Sequence, residues 1–260
     1  MRSILVHADR GPAMGNRLDS ALALARCTGG HLTVVVDTPL SRYIAMDPMG
    51  GSYIAADALQ QALEQDDVQA ADITARLARG DVPFDVVRSE EEPVDAILAA
   101  ARLADVVVVS QGTPMAGELA LNARCPILAT PRDRALDMPV EVACVAWDGG
   151  AEGATALKAA VPLLARCQQV HVVTVAAASS DFPATDALRY LSRHGVSAEL
   201  EELSRASSIE ETLSAATQRL GADLLVMGAY GHSRVREYLF GGVTRYFLEQ
   251  VAGPALLLAH

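Results

Sequence analysis

Residues 223–259 read DLLVMGAYGHSRVREYLFGGVTRYFLEQVAGPALLLA, and this stretch decides the fold. The apolar run DLLVM (223–227) has strand length and leads straight into Gly228-Ala229-Tyr230-Gly231. Nine residues later Gly241-Gly242 opens a helical pattern over 243–251, Gly253-Pro254 ends it, and ALLLA (255–259) is a second apolar run. Apolar strands without alternation, separated by helices, belong to a parallel sheet covered on both faces. Ligands of such open sheets lie outside the carboxyl ends of the strands. Gly228 and Gly231 permit positive φ and carry no Cβ to block a ligand. The free N–H groups at the helix start after Gly241-Gly242 favour an anion, and Thr244 in the first turn offers a hydroxyl to a phosphate. These residues together suggest a phosphate cradle. The spacing is neither GxxxxGK[ST] nor GxGxxG. Glycines serving turns and close helix packing are the other reading of the same residues.

Upstream, the alternation of strand and helix continues. VEVACVAW (140–147) and VHVVTV (170–175) read as strands, with another at 196–202. Leu157, Ala160, Val161 and Leu164 recur at helical spacing within 154–165, and a short helix fits 184–193. Ser207 and Ser208 each stand three residues before a Glu, a capping-box signature for a helix carrying Ile209, Leu213, Ala216 and Leu220 and closed by Gly221.

The same unit occurs earlier in the chain. Leu24-Ala25-Arg26-Cys27 and His31 recur as Leu164-Ala165-Arg166-Cys167 and His171, 140 residues on. ILVHAD, ending at Asp9, parallels VACVAWD, ending at Asp148; ADVVVVSQ (104–111) parallels ADLLVMGA (222–229); Cys125-Pro126-Ile127-Leu128 parallels Gly253-Pro254-Ala255-Leu256. Ordered matches with drifting offsets are a duplication with insertions and deletions. The first half then reads strand 3–8, helix 16–28, strand 32–37, helix 54–79, strand 83–88, helix 94–103, strand 105–110, helix 115–123, strand 126–129. Its long second helix has one apolar face, Leu59, Leu63, Ala70, Ile73 and Leu77, and Gly80 to end it. TPRDRALDMP (130–139) is the linker, placing domains at 1–132 and 138–260.

Composition narrows the function classes. With 51% hydrophobic but only 4% aromatic residues, the core is built from Ala, Val, Leu and Ile. No apolar run reaches the ~18 residues of a membrane span, and the start carries no secretory h-region, so the expectation is a cytoplasmic protein. A net charge of -11 repels phosphate backbones, so neither nucleic acid nor an anionic membrane is an expected partner. Cys27, Cys125, Cys144 and Cys167 stand alone, without a CxxC pair, and read as small buried hydrophobes. No Ser-His-Asp set and no metal cluster stands out. His31 and His171, at repeat-equivalent strand starts, read as structural; His232, Arg234, Arg236 and Arg245 face either a phosphate or solvent.

The pattern Gly228-x-x-Gly231, nine residues, Gly241-Gly242-Val243-Thr244, then a helix and PALLLA (254–259), resembles the nucleotide-binding loop of the universal stress protein family. The resemblance covers the strand order of the second half, and the duplication resembles the tandem form of that family. It implies an α/β fold of two tandem domains. Each is an open five-stranded parallel sheet with helices on both faces, of the adenine nucleotide alpha-hydrolase-like type. It also implies an adenine nucleotide, ATP, in the second domain, with any Mg²⁺ held mainly by the phosphates. The implied contacts are Asp148 after the first strand, Val175 against the adenine, and Met227, Gly228, Gly231, Gly241, Gly242, Val243 and Thr244 in the loop. Family members often have Ser where Gly242 stands. The first half keeps Asp9, but from Asp105 to Cys125 it is ten residues shorter than from Asp223 to Gly253, and it has Gly112 and Gly117 without a Gly-Gly pair. Its phosphate site is expected to be lost. The family further implies that the final strands, 126–129 and 255–259, pair antiparallel within the chain, and the long helix leaves a homodimer open. The expected function is a stress-response protein with ATP as a regulatory ligand; slow ATP hydrolysis and a nucleotide-independent interaction module are the alternatives.

Overall fold

The computed structural model describes residues 1–46, 52–175, 182–205, 207–230, 242–250 and 253–260. In chain order the strands are β1 (Ser3–His7), β2 (His31–Asp37), β3 (Ile44–Met46), β4 (Ser52–Ile54), β5 (Phe84–Ser89), β6 (Val106–Ser110), β7 (Ile127–Thr130), β8 (Val142–Ala146), β9 (Gln169–Val175), β10 (Glu199–Leu203), β11 (Leu224–Gly228) and β12 (Ala255–Ala259). The helices are α1 (Met14–Thr28), α2 (Ala56–Leu77), α3 (Pro93–Ala100), α4 (Pro114–Asn122), α5 (Ala151–Leu164), α6 (Ala184–Arg193), α7 (Ile209–Leu220) and α8 (Gly242–Glu249). Ten strands form one sheet, ordered β10-β9-β8-β11-β12-β7-β6-β1-β2-β5, while β3 and β4 pair separately as a hairpin that the sequence pattern did not suggest. Each half contributes five parallel strands in the order third, second, first, fourth, fifth, so the α/β class stands.

The apolar runs alternate between two cores, as the pleat requires. Val106 and Val108 enter one, with Leu18 of α1, Ile73 of α2, Leu157 of α5 and Leu191 of α6. Val107 and Val109 enter the other, with Ile97 of α3, Leu119 of α4, Leu213 of α7 and Phe247 of α8. Each core runs through both halves. Helix ends follow local chemistry: Gly29 and Gly221 close α1 and α7 in the left-handed conformation. Of the two candidate caps of α7, Ser208 is the one that accepts the Glu211 N–H, at 3.2 Å.

The halves join where β7 and β12 run antiparallel. Leu128 faces Leu257, both fully buried, flanked by Ala129–Leu256 and Ile127–Leu258. A twofold axis through the central pair exchanges the flanking ones. The ladder corrects two repeat assignments. Val107 pairs Ile127 while Leu225 pairs Leu256, so Ile127 matches Leu256, one residue away from the alignment on the prolines. Side chains must keep their face of the sheet, and a one-residue slip would reverse every one. Likewise Ser3 pairs His31 but Val142 pairs Gln169, so His171 corresponds to Thr33 rather than to His31.

Three further expectations change. In α2 the buried line is Ala62, Asp66, Ala70, Ile73 and Leu77, and Leu63 is 38% exposed. The helix turns Asp66 inward because Arg10 and Thr38 both bond its carboxylate. The 130–139 segment is laid along α1 instead of hanging free. Leu136 and Val140 enter the first core, the Leu136 N–H donates to Ser20 Oγ at 2.8 Å, and the Asn16 amide donates to the Arg132 carbonyl at 2.9 Å. The cysteines are unpaired as expected, but of the four only Cys144 is fully buried, while Cys27, Cys125 and Cys167 are half-buried. Burial pushes the thiols of Cys125 and Cys167 up to about 11 and that of Cys144 to about 12, so these three stay protonated.

Candidate functional site

The carboxyl ends of three adjacent strands, β9, β8 and β11, bring together Val175, Asp148 and Gly228. Val145 pairs both Val172 and Val226, and the Trp147 N–H extends the ladder to the Val173 carbonyl at 2.8 Å. Val175 and Asp148 lie just beyond that row. Asp148 is exposed, and its Oδ1 accepts the Gly150 N–H at 2.8 Å, which turns the chain into α5. Met227 points instead into the second core, 4% exposed.

Gly228 has a different reason for being glycine than the cradle reading supposed. It ends β11 outside the positive-φ region. A Cβ there would lie 2.5 Å from the Gly153 nitrogen and 2.7 Å from the Glu152 carbonyl carbon. Its bare Cα therefore lets the first turn of α5 close on the strand end, as the packing alternative holds. Among the described residues of the motif, Tyr230 is left-handed, with φ 63°. Its N–H donates to Thr244 Oγ1 at 3.4 Å, so the buried Thr244 hydroxyl fastens α8 to the end of β11. Gly242 opens α8, is exposed, and has no atom of the described residues within 4 Å of an added Cβ. Val243 is half-buried against the second core. Gly231 and Gly241, with His232, Arg234 and Arg236, lie outside the described residues. Arg245 pairs with Glu249 at 2.7 Å on the exposed side of α8.

The same place in the first half is filled from within. β1 and β8 correspond at a shift of 139, and that shift carries the buried Leu18, Ala21, Leu24 and Ala25 of α1 onto Leu157, Ala160, Leu163 and Leu164 of α5, one residue away from the match of Leu24-Ala25-Arg26-Cys27 to Leu164-Ala165-Arg166-Cys167. It also carries Arg17 onto Ala156, and the ladders match Ser110 to Gly228. Arg17 is 2% exposed. It donates from Nε to the His7 carbonyl at 2.7 Å and from a terminal nitrogen to Ser110 Oγ at 2.8 Å, and its other terminal nitrogen lies 3.0 Å from Asp9 Oδ1. Burial pushes the Asp9 carboxyl up, but the charge and hydrogen bond of Arg17, the Gly11 N–H and His7 outweigh it and hold it below the ordinary value. His7 Nε2 bonds Asp37. Above this cluster α2 closes the space: Gln69 donates to the Asp9 carbonyl at 2.7 Å, and Arg10 reaches the Ala62 carbonyl at 2.8 Å and Asp66. The counterpart helix, α6, has 10 residues against 22 in α2.

Sequence reasoning missed Arg17, Ser110 and Tyr230. A signal for Arg17 existed: it stands four and seven residues before Ala21 and Leu24, on the apolar stripe of α1. Among the described residues no group of three or more His, Cys, Asp or Glu is placed to hold a metal, and no helix is long and apolar enough to cross a membrane.

Residues 140–258 match the model of the universal stress protein family. A universal stress protein from Archaeoglobus fulgidus shares the fold over 99% of this chain and 96% of its own, with a TM-score of 0.74 and 15% identity. A protein of unknown function from Pseudomonas aeruginosa does so over 100% and 92%, with a TM-score of 0.61 and 18% identity. At these identities the likeness is one of fold, and it extends over both halves. A search of curated proteins returns no match.

Proposed function

We propose that this chain is a tandem universal stress protein of the cytoplasm, with domains at 1–132 and 138–260. It binds one adenine nucleotide, ATP, in the second domain as a regulatory ligand. The observation that carries this reading is the contrast between the two strand-end sites. Where the first half buries Arg17 against Asp9 and Ser110, the second has Ala156 and Gly228, and Asp148 is exposed. The family-model match falls on that open half.

The residues present fit the group. Asp148 and Val175 stand at adjacent strand ends, on the side where ligands of open sheets lie. The start of α8 offers backbone N–H groups to an anion, and no described residue comes within 4 Å of a Cβ added at Gly242. In this reading Asp148, Val175, Met227, Gly228, Gly231, Gly241, Gly242, Val243 and Thr244 form the site. Val175 presents an apolar side chain to the base, and the N–H groups of α8 orient the phosphates. Met227 and Gly228 act from behind, Met227 as core under the strand end and Gly228 by holding α5 close. Any Mg²⁺ comes with the nucleotide, on its phosphates.

The test is the nucleotide content of gently purified protein, released by denaturation and resolved by chromatography. One adenine nucleotide per chain is the expected result. Two per chain would overturn the assignment of a filled first site, and none, with no ATP uptake by calorimetry, would overturn the reading as a whole.

A further inference from the structure

α8 is held at both ends by backbone donors that occupy the same place in the two repeats. At its first turn the left-handed Tyr230 donates to Thr244 Oγ1. At its last turn the donor is Gly112 of the first half. Gly112 is the counterpart of Tyr230, two residues past the matched pair Ser110 and Gly228, and is also left-handed, with φ 70°. Its N–H donates to the Leu248 carbonyl at 2.8 Å. Last-turn carbonyls have no partner inside their own helix, so a donor from outside both satisfies and positions them.

Two more donors, one in the first half and one in the linker, act on the same connection. Gln111 is 1% exposed and donates from Nε2 to the Pro254 carbonyl at 2.8 Å. Arg134 donates to the Gly253 carbonyl at 3.1 Å. A buried amide is costly unless bonded, so Gln111 ties the two halves at a defined point, and α4 packs beside α8. The shortened loop makes this possible: only Gln111, Gly112 and Thr113 separate β6 from α4.

We propose that the first half is a brace for α8. Through Gln111 and Gly112 it fixes the helix whose first turn faces the nucleotide, and so sets nucleotide affinity from the half that holds none. The proposal rests on the reading that the start of α8 belongs to the site. Gln111 bonds Pro254, five residues past Glu249 at the end of α8 and away from Gly242, and is a positioning residue.

The test uses the full chain with Gln111→Met, which keeps the volume and removes the donor. Val34→Ala, in the first core of the same half, serves as a stability control. Arg134→Met, at an exposed contact, is a milder second variant. Two quantities are read: the Kd for ATP by calorimetry, and hydrogen exchange of the α8 amides in nucleotide-free protein. Gln111→Met should weaken ATP binding about fivefold, in the range of ordinary coupling energies, and speed exchange in α8. Arg134→Met should do both to a smaller extent, and Val34→Ala should do neither. An affinity loss in Val34→Ala equal to that in Gln111→Met would overturn the brace, because instability alone would then explain it. If the wild-type protein binds no ATP, the site reading fails and exchange alone decides: unchanged exchange in α8 of Gln111→Met and Arg134→Met overturns the brace.

Discussion

Replacing Arg17 with Met probes the filled first site. The substitution keeps an apolar stem of similar length and removes three polar contacts. Two are hydrogen bonds to the buried His7 carbonyl and to Ser110, each contributing about 1 kcal/mol. The third is the ion pair with Asp9, whose side chain is 37% exposed, so solvent screening holds it to about 1 kcal/mol. The expected destabilisation is therefore about 3 kcal/mol, or roughly 6–12 °C in Tm for a chain of this size. The pH dependence separates the parts. The folded-state pKa of Asp9 is depressed, so its contribution is complete above the unfolded value of about 3.9 and is lost as the pH falls through the lower folded value. Chemical denaturation should thus show a gap between wild type and Arg17→Met that is widest near about pH 7 and narrows, by roughly a third at most, only as the pH falls through the depressed folded pKa of Asp9. A gap below about 1 kcal/mol near neutrality, or one that does not change with pH, would refute the ion-pair account of this site.

Other outcomes follow from the same coordinates. Leu257→Asp puts a carboxylate on the twofold axis opposite Leu128 and should destabilise the chain by several kcal/mol; wild-type-like melting would count against the seam. Gly228→Ala forces α5 off the strand end and should cost about 1–3 kcal/mol together with a loss of ATP affinity, measured by denaturation and calorimetry on the same preparation. Gly242→Ser meets no neighbour among the described residues and adds a hydroxyl at the start of α8, so stability should stay within about 0.5 kcal/mol of wild type while ATP affinity holds or rises.

The inner strands of the sheet were legible because they are apolar runs between helix signals, and burial on both faces leaves few other structures for them; the edge strands β5 (FDVVRS) and β10 (ELEEL) are not such runs. The duplication was legible for the same reason that its details were not. Sequence matching rewards shared letters, such as the prolines at 126 and 254, whereas the sheet rewards side chains that keep their face. The hairpin of β3 and β4 left no signal, since three-residue strands carrying the exposed Ile44, Tyr53 and Ile54 are too short to show periodicity. Of the candidate site, the element order puts Asp148 and Val175 at strand ends, but it was the family resemblance that singled them out as contacts. The role of Arg17 was not: an arginine on a helix reads as solvated, and only the tertiary structure brings it to Ser110, 93 residues away. Gly228 shows the limit of motif reading, because the motif marks where a side chain is forbidden but not what forbids it.

The seam of β7 and β12 makes the two halves unequal partners by inheritance. In an assembly of two identical chains, a deletion in the loop after the fourth strand strikes both copies, and a helix held across the interface loses its own loop along with its neighbour's. With both halves encoded in one chain, each can diverge alone. The three residues between β6 and α4 can then shrink to a clasp on Leu248, while the second copy keeps its glycines.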